Sequence, residues 1–179
     1  MENAINTLDS KITEYLVLIS HETLNDHDSN DYLANMKTIK DFERIGDLCI
    51  NIVKYYEAIY DEKEDFSPEA REDLEAMMDM VIDMLNHAVK AFDTHDLDDI
   101  VYVDDKEADL DYFNKKAKQR HIKRVGRKIE NSALVTYVDI LANLERMGDH
   151  CQNISESYLL DESAYLTVSY THLRAHETG

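Results

Sequence analysis

Asp41-Phe-Glu43-Arg44-Ile-Gly46-Asp47-Leu-Cys49-Ile-Asn51-Ile52 returns in the same chain as Asn143-Leu-Glu145-Arg146-Met-Gly148-Asp149-His-Cys151-Gln-Asn153-Ile154. Glu, Arg, Gly, Asp, Cys, Asn and Ile recur at matching places, each 102 positions further on. One such acidic motif arises readily by chance, but a matched pair at a single offset does not. A repeat of this kind fixes the architecture before any local reading. It makes the chain two copies of one helical unit.

Composition agrees with a helical bundle. The 179 residues suit one domain or two small repeats sharing a core, and 44% are apolar. Only 4 Gly and 1 Pro are available for turns. The net charge of −19 and a pI near 4.6 argue against nucleic acid as a partner and suit cations or a basic surface. The two cysteines, Cys49 and Cys151, share one repeat position on an apolar helical face, so buried thiols are expected rather than a disulfide. No signal peptide is visible, and no apolar run approaches the ~20 residues of a membrane span, so the chain reads as cytoplasmic.

Apolar residues recur at helical spacing along five segments. The predicted fold is all-α, an antiparallel bundle with helices near 2–24, 31–60, 67–95, 98–125 and 129–160. Repeat one spans 1–62 and repeat two spans 66–160. Asn25–Asn30 reads as a polar break, and Ser67-Pro68-Glu69 as a helix start. The methionine stripe Met77, Met78, Met80 and Met84 reads as core. The basic run Lys115–Lys128 reads as a solvated face neutralising nearby acid. Residues 161–179 form a non-native-looking tail. Its stretch Val168–Thr178 is similar to a translated sequencing-adapter read, and His172 and His176 receive no ligand role.

The chemistry lies in the repeated motif. At 100° per residue, Glu43, Asp47 and Asn51 share an ~80° arc, as do Glu145, Asp149 and Asn153. Each set forms a ladder of two carboxylates and a carboxamide, away from its helix's apolar stripe. Carboxylates one turn apart repel, and a bound cation turns that repulsion into attraction. Hard oxygen donors suit Mg²⁺, Ca²⁺, Mn²⁺ or iron. A mid-helix glycine costs ~1 kcal/mol relative to alanine, and Gly46 and Gly148 stand where a neighbouring helix would approach closely. Glu107 and Asp111 form a further acidic pair, matched in the first repeat by Glu2 and Asn6. The metal candidates are therefore Glu43, Asp47, Glu107, Asp111, Glu145 and Asp149, with Glu2, Asn6, Asn51 and Asn153 as weaker ones.

With its two Glu-Arg-hydrophobic-Gly-Asp motifs, each preceded by a Glu-x-x-hydrophobic-Asp/Asn helix, the chain resembles the PhoU family. Within that family, Glu14–Ser20, the Asp-Phe-Glu-Arg-Ile-Gly-Asp wording and His121-Ile-Lys-Arg124 are similar to the PhoU-like C-terminal domain of bacterial Na⁺/phosphate cotransporters. The resemblance covers roughly residues 2–160. It implies duplicated three-helix units and a non-enzymatic regulatory role in phosphate transport at the cytoplasmic face of the membrane. It also implies divalent or ferric ions (iron, manganese, magnesium or zinc) on the acidic motifs. The partner implied is a phosphate transporter's membrane domain or transport machinery, with homo-oligomers also expected.

A full six-helix bundle would place a helix before residue 2. Without one, apolar surface of the first repeat is expected to lie exposed, and the sequence reads as a fragment lacking an upstream part. Two other readings stay open. A ferritin-like di-metal carboxylate enzyme would need Glu-x-x-His on inward faces, and no Glu here has His three residues later. A purely structural interaction bundle would leave the acids solvated.

Overall fold

A computed structural model describes residues 2–21, 24–125 and 132–159. Five α-helices run in order: α1 (Glu2–Ile19), α2 (Asp26–Asp61), α3 (Pro68–Thr94), α4 (Leu97–Val125) and α5 (Ser132–Ser155). Among the described residues there is no strand, and the all-α expectation holds. The tail with His172 and His176, and the expected start of the fifth helix at 129, lie outside the described residues.

Side-chain capping sets the boundaries. Ser67 Oγ accepts the Ala70 N–H at 3.2 Å and Pro68 opens α3, as the sequence suggests. The polar stretch after Asn25 does not break the chain as expected, because Asn25 Oδ1 accepts the Asp28 N–H at 2.9 Å and starts α2 at Asp26. The first helix stops earlier than expected, at Ile19, where the Ser20 hydroxyl donates to the Val17 carbonyl at 2.7 Å. The fifth helix also ends early, at Ser155. Its own hydroxyl and that of Ser157 donate back to carbonyls three residues earlier, both at 2.8 Å.

Helices α3, α4 and α5 pack on one another, α2 packs on α5, and α1 packs on α2 alone. Met77 and Met84 of α3 are fully buried with Leu110 of α4 and Ile140, Leu144 and Cys151 of α5, so the methionine stripe is core. Across this bundle, Asp73 joins all three helices. Arg120 donates to it at 2.6 Å, the Tyr137 hydroxyl at 2.8 Å and Arg124 at 3.3 Å. The basic run is therefore more than a solvated face, since two of its arginines clamp a buried carboxylate. Burial alone would raise the Asp73 pKa, but the donors from Arg120, Tyr137 and Arg124 outweigh it and hold the carboxyl below the usual range.

Both motif glycines stand where helices meet. A Cβ on Gly46 would come within 2.7 Å of Ile5 Cδ1, and one on Gly148 would overlap Leu110 Cδ2. Ile5 and Leu110 follow Glu2 and Glu107 at the same spacing, so α1 meets α2 as α4 meets α5. The repeat is thus a repeat of contacts as well as of letters. One expectation fails here: Cys151 is buried, but Cys49 is exposed. Helix α3 covers the first cysteine's counterpart, whereas nothing among the described residues covers Cys49 in the same way.

Candidate acidic site

Glycine lets α4 and α5 close to within one side chain, and their acids then flank the seam. Burial holds the Glu107 carboxyl above its usual range, and Asp111, Asp149, Asp104 and Glu145 push it further. Glu145 is likewise raised, by burial first and then by Asp149 and Asp111, with Lys118 and Arg146 opposing. Asp149 is raised by burial and by Asp111, against His150 and Arg146. The four acids picked from the sequence therefore share one electrostatic field. Desolvation is the largest single cause of each shift, and the neighbouring acids add to it.

Glu107 and Glu145 are half-buried, while Asp111 and Asp149 are exposed. The ladder expected on the face away from the apolar stripe is partly covered, because α5 packs on α2, α3 and α4. Its carboxamide leaves the ladder. Asn153 Nδ2 donates weakly, at 3.5 Å, to Asp41 Oδ1, which also lies 2.8 Å from His150 Nδ1. Asp41 is buried at the α2–α5 seam and ties the two motif helices together. Among the described residues, no three His, Cys, Asp or Glu side chains stand close enough together to hold an ion as placed. The acids are gathered at electrostatic range, with Asp111 and Asp149 exposed.

In the first repeat, Glu43 is half-buried, whereas Asp47, Asn51 and Asn6 are exposed. The side chain of Glu2 lies outside the described residues, so its expected place opposite Glu43 does too. Two participants escaped the sequence reading. Asp104 extends the α4 acidic stripe one turn before Glu107, and the Gln152 amide donates to it at 2.5 Å. The i, i+3, i+7 spacing of Asp104, Glu107 and Asp111 was the available signal. For Asp41 the signal was weaker: an acid inside an apolar stripe needs a partner, but His150 is 109 residues away.

A duplicated helical unit with carboxylates gathered on its second and third helices defines a class, and comparison with known proteins names it. The PhoU domain family matches residues 1–56 and 74–158, and the chain belongs to that family. It is 30% identical over 145 residues to the phosphate-specific transport system accessory protein PhoU homolog 1 of Thermotoga maritima, covering 80% of this chain and 61% of that protein. It is 28% identical over 162 residues to the corresponding PhoU protein of Serratia marcescens, covering 87% of this chain and 63% of that one. Crystallographic PhoU from Pseudomonas aeruginosa superposes with a TM-score of 0.80 at 25% identity, covering 88% of this chain and 76% of that one. The chain spans under two thirds of the length of the curated relatives it matches.

Proposed function

We propose that the chain is a regulatory domain of phosphate transport, acting by binding and without catalysing a reaction of its own. The observation that carries this reading is the family match over both acidic motifs, supported by relatives named as accessory proteins of a phosphate-specific transport system. The partner is the cytoplasmic side of a phosphate transporter, in the finer reading the membrane domain of a Na⁺/phosphate cotransporter. No helix among the described residues is long and apolar enough to cross a membrane. Phosphate uptake in cells lacking their own PhoU tests it. Expression of this chain should restore repression of uptake, and unchanged uptake at equal protein level would sink the proposal.

The second element of the proposal is metal at the acidic motifs. Glu107, Asp111, Glu145 and Asp149 would supply oxygens to Fe³⁺, Mn²⁺, Mg²⁺ or Zn²⁺, whose charge would offset their mutual repulsion. A cation binding the folded state alone raises the melting temperature by linkage. Mn²⁺ or Fe³⁺ should raise it, with Asp149→Asn removing most of the gain and Asp47→Asn less. A melt indifferent to all of these ions leaves the acids as a solvated face.

A further inference from the structure

The stretch Lys115–Arg124 of α4 holds 6 cations and no acid, in a chain with 38 acidic and 19 basic residues. Half of these cations are committed inside the fold. Arg120 and Arg124 clamp Asp73, and Lys118 opposes the charge gathered around Glu145. The others, Lys115, Lys116 and Lys123, are exposed, and among the described residues no carboxylate pairs with them. Acids outnumber cations in this chain, so an unpaired lysine cluster does not follow from internal charge balance. A cation in the last turn steadies a helix C-terminus. That accounts for Lys123, but not for Lys115 and Lys116 about two turns earlier.

These lysines share a face with two apolar side chains. At 100° per residue, Tyr112, Lys115, Lys116, Gln119, Ile122 and Lys123 fall within an arc of about 120°, opposite the buried Leu110, Ala117 and His121. Ile122 is 70% exposed and Tyr112 64%. Lys116 Nζ lies 5.1 Å from the Tyr112 ring centroid, so ammonium and ring stand on the surface together. From Tyr112 to Lys123 the strip is about 17 Å long. Being the outer face of a helix it is convex, which suits a broad planar partner. Exposed Asp105 and Asp109 precede it on the same side of α4 and end the basic surface there.

We propose that this strip docks on an anionic phospholipid bilayer, with Lys115, Lys116 and Lys123 at the headgroup phosphates. Ile122 and Tyr112 enter the boundary between headgroups and acyl chains, as on other amphipathic helices lying in a membrane interface. At physiological salt, charges more than ~8 Å away are largely screened. Lysines in contact therefore outweigh the acids elsewhere on the chain, and those acids disfavour every other orientation. The contact does not depend on what the domain regulates.

Sedimentation of the full chain with vesicles tests this, comparing phosphatidylcholine alone with an equal mixture of phosphatidylcholine and phosphatidylglycerol. The chain should sediment with the mixed vesicles only, and less so as salt rises. At roughly five-fold per lysine, Lys115→Gln, Lys116→Gln and Lys123→Gln combined should weaken binding about 100-fold. Ile122→Gln alone should weaken it about five-fold. A control combining Lys11→Gln, Lys40→Gln and Lys54→Gln has the same net charge and should bind like the parent. All of these positions are exposed, and circular dichroism checks that each variant keeps its helices. Equal losses in the two combined variants, equal binding to neutral vesicles, or no binding to either kind overturns the proposal. Retention on immobilised poly-glutamate without binding to acidic vesicles overturns it in favour of an acidic protein segment.

Discussion

Leu110 and Ile5 hold the same place in the two repeats, each against a motif glycine, yet their surroundings differ. Leu110 is 1% exposed beneath α3, whereas Ile5 is half-buried at the rim of an open groove. The same holds for Cys151 and Cys49. Identical motif residues thus do different physical work, core in the second repeat and lining in the first. What separates them is whether a third helix lies across the pair. A local motif specifies how two helices approach, and burial is decided by the next layer.

The largest expected effect tests that contrast directly. Leu110→Ala should cost about 2–5 kcal/mol by leaving a cavity, while Ile5→Ala should cost about 1 kcal/mol, since much of its surface stays wet. Urea denaturation of the two variants measures both, and equal losses would erase the distinction. Asp73→Asn comes next, with about 2–3 kcal/mol expected from weakening charged hydrogen bonds across three helices. Because the folded Asp73 pKa lies below its unfolded value, its stabilisation is present above the ordinary Asp range and is lost as pH falls through the folded value. The acid limb of the stability curve should therefore flatten in Asp73→Asn.

The glycines give a finer comparison. Gly148→Ala should destabilise by about 1–2 kcal/mol, as Leu110 is held on all sides and overpacking strains it. Gly46→Ala should be near neutral. Its Cβ meets the end of the Ile5 side chain, which can swing into the groove, and alanine favours the helix by ~1 kcal/mol. Similar losses for both would show that the groove is rigid. An effect of similar small size is expected from Asp149→Asn. Carboxyls raised in the fold disfavour their own charged form, so stability from this seam grows as pH falls through their folded values toward the ordinary range. Removing one charge should stabilise the chain at pH 7 by roughly a few tenths of a kcal/mol, given exposure. It should also shrink that gain on mild acidification, read from melting temperatures between pH 7 and 5.

Much of this was legible in the letters alone. The doubled Glu-Arg-hydrophobic-Gly-Asp motif fixed the repeat, the glycines marked the helix contacts, and Ser67-Pro68 placed a helix start. The same letters brought Glu107 and Asp111 toward Glu145 and Asp149, because periodicity on two helices and one repeat offset restrict how they meet. Tertiary structure alone decided the rest. Asp41 found His150, Asp73 found Arg120 and Arg124, and Cys49 was left exposed while Cys151 was sealed. Helical periodicity tells which face a residue occupies, but it carries no information about which distant helix covers that face. For a polar or titratable side chain, that covering layer sets both burial and partner.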